Sequence, residues 1–179
     1  MKKGIVNLII ILIVLLCLIC SLYYIFMPKY KYNLSKNSEP VASKILYDYI
    51  LRQERMSPAE IEIFANITPE RVSAFEYDLN GDGTKEVIGI TYSTYYYGTA
   101  GYSLFILQKK GNTYNDLTSI LNCEPILPIK ILKSRTNGYN DIKFHGGNAY
   151  NFKPFIAQYK NNKYENPEQL QGLMDTLRQ

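Results

Sequence analysis

The hydrophobic residues are concentrated first in one run, Ile5–Phe26, which is almost entirely apolar and contains no charged residue. As a helix this run would be about 33 Å long, enough for a hydrocarbon core of about 30 Å. No small-x-small cleavage site follows it, so a retained anchor is favoured over a cleaved signal peptide. We therefore predict a membrane anchor over residues 1–27 and a single-pass membrane protein whose C-terminal domain is extracytoplasmic.

Beyond the anchor, the pattern predicts a polar tether over residues 28–40 and a single external domain over residues 41–179. Apolar residues recur at helical spacing in Val41–Met56. Ser57-Pro58-Ala59-Glu60 has the residues of a capping box that opens a short second helix. Asn166 begins a similar box and a closing helix that we expect to end near Leu177.

From Val72 onward the hydrophobic period changes from helical spacing to two, which is typical of strands. The predicted strands are Val72–Leu79, Glu86–Tyr92, Ser103–Lys109, Thr113–Leu117, Ile129–Ser134, Asp141–Phe144 and Phe152–Lys160. The predicted fold class is α+β, with an N-terminal transmembrane helix, two short helices, an antiparallel meander of about six strands and a C-terminal helix.

Charge and cysteine content narrow the possible functions. The chain has a net charge of +4, and Lys2 and Lys3 precede the apolar run, so the remainder carries only +2. This near-neutral balance argues against nucleic acid as a partner. Cys123 is the only cysteine after the apolar run, so the external domain has no internal disulfide.

The segment Asp78–Glu86 has the spacing of a metal-binding loop. Oxygen-bearing side chains alternate along it, and Gly83 allows a sharp turn at the sixth position. Ca²⁺ prefers six to eight oxygen ligands, so the predicted set is Asp78, Asn80, Asp82, the Thr84 carbonyl and Glu86. We expect such a site to be structural, and the alternative is a turn without metal. An EF-hand is excluded because Gly89 replaces its twelfth-position glutamate and both flanks are predicted strands.

The run Phe75–Ile90, FEYDLNGDGTKEVIGI, resembles the strand-loop-strand calcium loops of the FG-GAP and VCBS type. The resemblance implies the same five ligands. A looser similarity, over Phe75–Phe144, is to small bacterial envelope proteins of unknown function. It includes the glycine turn Gly98–Gly101 and the later segment Thr136–Ile142, and it implies a fold rather than an activity.

A second candidate site is the tyrosine-rich stretch after the predicted metal loop. Tyrosine, serine and glycine are the residues that binding loops favour, because rigid amphipathic rings are set on an adaptable backbone. The predicted binding residues are Tyr92, Tyr95, Tyr96, Tyr97 and Tyr102. The alternative is that Tyr92, Tyr96 and Tyr102 only pack against a sheet.

The sequence contains no motif that indicates a reaction. His145 is the only histidine, and a thiol enzyme using Cys123 with His145 would lack any further recognisable group. We therefore predict a non-catalytic binding protein, attached to the membrane through Ile5–Phe26, in which a structural Ca²⁺ loop supports a tyrosine-rich loop for a protein or glycan partner of the envelope. An inhibitor or immunity role is one form of this hypothesis. The alternative is a structural or assembly accessory of the envelope with an empty loop.

Overall fold

The computed structural model describes residues 11–22, 28–34, 38–98, 101–119, 121–148 and 151–168. These residues form three helices: α1 over residues 11–22, α2 over Pro40–Glu54 and α3 over Pro58–Ala65. The predicted capping box is present, because Glu60 N–H donates to Ser57 Oγ and Ser57 N–H donates to Glu60 Oε2. Asn66 ends α3 in the left-handed conformation.

Eleven strands are found in the described ranges. They are β1 Pro28–Tyr32, β2 Val72–Tyr77, β3 Glu86–Thr91, β4 Tyr97–Gly98, β5 Gly101–Lys110, β6 Thr113–Asp116, β7 Asn122–Cys123, β8 Ile129–Thr136, β9 Tyr139–Asn148, β10 Asn151–Lys160 and β11 Lys163–Glu165. Single 3₁₀ turns lie at Pro69–Arg71 and Thr94–Tyr96. The seven strands predicted from the alternating pattern correspond to β2, β3, β5, β6, β8, β9 and β10.

The strands form two antiparallel sheets. Sheet I has five strands in the order β1-β8-β9-β10-β11. Sheet II has six strands, with β2-β3-β5-β4 in order and β6 and β7 also paired to β5. The long strand β5 therefore organises sheet II, since it pairs with four other strands along its two edges.

The strands β2 and β3 and the middle of β5 in sheet II are covered on both faces, so successive residues along them are buried. Phe75, Ile88 and Ile106 face sheet I and join one core. Ala74, Val87 and Leu107 occupy the alternate positions and pack against α2 and α3 in a second core. The molecule thus has three layers: helices, sheet II and sheet I.

The two sheets also meet along a seam on one side. Tyr164 of β11 donates its N–H to the Leu117 carbonyl, and Ser119 N–H donates to the Tyr164 carbonyl at 3.1 Å. Thr118 and Tyr164 form a parallel bridge between these bonds. The Tyr164 side chain is fully buried, so the seam is closed by packing as well as by hydrogen bonds.

The predicted α+β fold class is wrong, because the described chain is mostly β and its strands form two sheets rather than one meander. Short-range periodicity identified the long strands, but it does not report how strands pair. The short strands β4, β7 and β11 have too few residues to show a period. The predicted closing helix after Asn166 falls mostly on residues outside the described ranges.

The prediction of an N-terminal transmembrane helix, and with it that of a single-pass membrane protein, is contradicted. Within the described ranges, no helix combines the length and the apolar character needed to cross a membrane. Residues 11–22 are helical. Residues 5–10 and 23–26 of the predicted anchor lie outside the described ranges.

The segment predicted as a tether contributes to the fold. β1 pairs antiparallel with β8, and the Tyr32 ring stacks on Phe75 with a centroid distance of 4.0 Å. Leu34 is also buried in the core between the sheets. Residues 28–34 therefore belong to sheet I and its core.

Gly89 in β3 provides a test of the packing between α2 and sheet II. A Cβ atom there would lie 2.5 Å from Ala74 Cβ and from the Ser73 carbonyl oxygen, and 2.8 Å from Leu46 Cδ2. We expect Gly89→Ala to lower the free energy of unfolding by about 1–3 kcal/mol through overpacking. Urea denaturation measures this change. Lys109→Ala, at an exposed position of β5, is the control and should change stability by less than about 0.5 kcal/mol. Equal denaturation midpoints for the two variants would contradict the prediction.

Candidate functional site

The loop over residues 78–85 lies between β2 and β3, and we call it the acidic loop. Its own backbone N–H groups close it by donating to its aspartate side chains. Asp78 Oδ1 accepts the Gly81 N–H at 2.6 Å, and Asp78 Oδ2 accepts the Gly83 N–H at 3.0 Å. Asp82 Oδ1 accepts the Thr84 N–H at 2.7 Å. Gly81 and Gly83 have φ values of +81° and +85°, a conformation that glycine adopts at little cost. Both aspartates therefore serve as acceptors for the turn.

Asn80 links the loop to sheet I. Its Oδ1 accepts the Asp82 N–H at 2.9 Å, and its Nδ2 donates to Asp82 Oδ2 at 2.8 Å. The same Nδ2 lies 3.3 Å from Tyr139 Oη in β9. Asn80 therefore completes the loop internally and contacts the opposite sheet.

Glu86 faces the interior, unlike the two aspartates. It has no exposed surface, its Oε2 accepts the Leu79 N–H at 2.9 Å, and its Oε1 accepts from Gln108 Nε2 at 3.3 Å. Burial raises the pKa of the Glu86 carboxyl, and the bonds from Leu79 and Gln108 offset that rise only in part. Glu86 thus supports the base of the loop at an electrostatic cost.

Sheet I holds the loop in place through β8 and β9. Asn140 N–H donates to the Leu79 carbonyl at 2.8 Å, and Asn140 Nδ2 donates to the Leu132 carbonyl at 2.7 Å. Arg135 Nη1 lies 3.3 Å from the Asn80 carbonyl oxygen. The loop therefore joins the two sheets, and the Thr136–Ile142 segment identified from sequence supplies several of its partners.

The description of the chain as a metal-binding, calcium-binding protein is not supported. No group of three or more His, Cys, Asp or Glu side chains that could hold a metal ion is found among the described residues. Asp78 and Asp82 accept backbone N–H groups, while Glu86 accepts from Leu79 and Gln108. Thr84 is exposed beside them. Ca²⁺ as a cofactor stays an untested prediction, and nothing in the function proposed for this chain depends on it.

Two tyrosines of the predicted binding loop contribute to the core. Tyr92 and Tyr102 are half-buried and pack against the core between the sheets. Their rings meet edge to face with a centroid distance of 5.7 Å. The structure therefore gives both side chains a packing role.

Tyr95 and Tyr96 lie at the edge of the helical layer, beside the end of α2. Tyr96 packs edge to face on Phe105 at 5.6 Å, and its hydroxyl donates to Glu54 Oε1 at the end of α2. Burial and the adjacent Glu54 raise the pKa of Tyr96. Tyr95 packs on Tyr96 at 5.2 Å but remains 56% exposed. Tyr97 pairs its backbone with Tyr102 in the β4–β5 hairpin.

Two exposed apolar residues that the sequence reasoning missed lie on α3, whose C-terminal end contacts the backbone that precedes Tyr95. Ile63 and Phe64 of α3 are 76% and 72% exposed. Ser93 Oγ donates to the Ala65 carbonyl, which places the backbone leading to Tyr95 against the end of α3. Spacing alone gave no signal, because Ile61, Phe64 and Ala65 stand at i, i+3 and i+4 and would be expected on one face, whereas only Ile61 and Ala65 are buried. We call Ile63, Phe64 and Tyr95 the apolar surface.

The cysteine and the histidine do not form a recognisable nucleophile and base. Cys123 is 1% exposed, and burial raises the pKa of its thiol far above neutrality. Burial, with Lys143 and Lys130 nearby, lowers the pKa of His145. A thiol nucleophile requires a thiolate and access to substrate, and Cys123 has neither.

Comparison with protein-family models, with curated proteins and with solved structures found no match for this chain. The resemblance of the Phe75–Ile90 loop to calcium loops stays a prediction. Functional inference therefore depends on the geometry of the described residues.

Glu86 predicts a specific pH dependence of stability. Because its pKa is raised in the folded state, the folded chain binds this proton more tightly than the unfolded chain does. The contribution of Glu86 to stability therefore falls as the pH rises from the ordinary glutamate pKa through the raised pKa of the folded state. We expect the wild type to gain stability relative to Glu86→Gln when the pH is lowered from 7 to about 5. Denaturant melts of both proteins at several pH values measure this difference, and parallel pH curves would contradict it. Asp116, whose pKa burial also raises, is present in both proteins, so its contribution cancels.

Proposed function

We propose that this chain is a non-catalytic binding protein that recognises a protein partner through the apolar surface of Ile63, Phe64 and Tyr95. The observation that carries this proposal is the exposure of three large apolar side chains on ordered elements that are packed against sheet II. Aromatic side chains are enriched among the residues that dominate protein–protein binding. Contiguous exposed apolar side chains are typical of interaction sites, and the Ser93–Ala65 bond brings the segment of Tyr95 to the end of α3.

Three contacts hold Tyr95 in a defined position. Its hydroxyl lies 3.5 Å from Glu54 Oε2, its ring packs on Tyr96, and its N–H donates to Ser93 Oγ at 3.1 Å. Tyr96 is itself bonded to Glu54 and packed on Phe105. A preordered aromatic group loses little conformational entropy on binding, which favours affinity.

The charges near the apolar surface indicate the chemistry of the partner. Glu60 and Glu62 are exposed on α3, and Glu54 lies beside Tyr95. Lys and Arg are absent from α3. We therefore expect a partner that offers an apolar pocket surrounded by basic side chains, since charge complementarity at the rim of an interface increases specificity and association rate.

Photo-crosslinking with the full-length chain tests this proposal. A benzophenone amino acid is placed at position 95, the crosslinked protein is identified and purified, and its affinity for unlabelled wild-type chain is measured by titration calorimetry. We expect Phe64→Ser and Tyr95→Ser each to weaken binding about 30-fold or more, as loss of a dominant contact does. We also expect Glu62→Lys to weaken binding, because the new lysine would repel the basic side chains of the partner.

Ile126→Ser is the matched control, because Ile126 is 66% exposed but lies in the turn between β7 and β8. It should leave the affinity unchanged. Equal losses in Ile126→Ser and Phe64→Ser, or unchanged binding in Phe64→Ser and Tyr95→Ser, would contradict the proposal. Crosslinking of the chain only to itself would show that this surface joins two copies rather than a different protein.

A further inference from the structure

A polar groove lies next to the seam between the two sheets. Its volume is about 620 Å³, within the range of pockets that hold small ligands. The β5–β6 hairpin forms one side, and the turn between β10 and β11 with its flanking residues forms another. Tyr49 and Gln53 of α2 also line it. We call this cavity the seam groove.

The lining of the seam groove combines amides with tyrosine rings. Gln108, Asn115 and Asn162 each contribute a carboxamide, which both donates and accepts hydrogen bonds. Tyr114 and Tyr159 line the same cavity, and both are half-buried. A tyrosine ring offers an apolar face together with a polar edge. This lining suits a ligand that has many hydroxyl groups and some apolar C–H surface.

The charges of the groove are mixed rather than of one sign. Asp116 lines it together with Lys110 and Lys163. Asp116 Oδ1 accepts from Thr118 N–H at 2.8 Å and from Thr118 Oγ1 at 2.6 Å, so the carboxylate is fixed in place. These three charges sum to only +1, so the groove has no strong charge of either sign. Since carboxamides and tyrosine rings make up much of the remaining lining, a neutral ligand with many hydroxyl groups suits it best.

The groove is rigid because its wall is continuous with the interior network beneath the acidic loop. Gln108 Nε2 donates to Tyr139 Oη at 2.7 Å and to Glu86 Oε1 at 3.3 Å. The Tyr159 ring stacks on Tyr139 at 3.9 Å. A binding site supported by such a second layer of contacts keeps its shape before the ligand arrives, which reduces the cost of binding.

We propose that the seam groove is a binding site for a neutral oligosaccharide. Tyr114 and Tyr159 pack against the C–H faces of the sugar rings. Asn115 and Asn162 exchange hydrogen bonds with the hydroxyl groups, while the Gln108 carbonyl oxygen and Asp116 each accept from one of them. None of the three residues of the apolar surface lines the groove, so the two sites are distinct.

Titration of the full-length chain with defined neutral oligosaccharides tests this proposal. The probes are tetrasaccharides of β-1,4-linked glucose, α-1,4-linked glucose, β-1,4-linked mannose and β-1,4-linked N-acetylglucosamine, and the readout is the ¹H–¹⁵N spectrum of labelled protein. We expect at least one probe to shift resonances of β6 and of the β10–β11 turn in a saturable manner. Concentrations up to about 10 mM reveal even weak complexes.

Tyr114→Ala and Asn115→Ala should each weaken the binding of that probe at least tenfold. Asn112→Ala is the matched control, because Asn112 is exposed in the turn of the same β5–β6 hairpin but does not line the groove. It should leave the affinity unchanged. The proposal is overturned when no probe binds, when the groove variants bind as tightly as wild type, or when an unrelated polar tetrapeptide binds the groove and the saccharides do not.

Discussion

A backbone hydrogen bond from Asn140 in β9 to the Leu79 carbonyl in the acidic loop ties the two sheets together at one end. Leu79 in turn donates its N–H to buried Glu86, and Gln108 bonds both Glu86 and Tyr139. These contacts satisfy buried polar groups that would otherwise destabilise the core. This network supports the acidic loop. It also orders Gln108 and Tyr159 at the groove and aligns β3 against sheet I.

The distribution of surface features follows from the three layers. The strands β2 and β3 and the middle of β5 in sheet II are enclosed, so most of their side chains serve packing, and the described sites lie at the margins of the sheet. The apolar surface lies where α3 meets the residues after β3, and the seam groove lies where β6 approaches β11. Each site is formed by segments distant in sequence, which the fold brings together.

The sequence predicted local features well where a local cause exists. The capping box at Ser57, the helix close to Pro40–Glu54 and the strand Glu86–Thr91 all follow from short-range patterns. The role of Glu86 could not be predicted, because its partner Gln108 is 22 residues away and is brought near by strand pairing. The tyrosine-rich stretch could not be divided from the sequence either. Composition does not distinguish Tyr92, which packs against the core, from Tyr95, which is exposed.

The position of β3 has a consequence for the dynamics of the molecule. All six of its residues are buried, it is paired on both sides, and it is covered by α2 on one face and by sheet I on the other. Its amide protons therefore exchange with solvent only when the whole domain opens, whereas those of the β5–β6 and β10–β11 turns exchange through local motions. Slow exchange in β3 therefore reports the global stability of the protein, whereas exchange in the two turns does not.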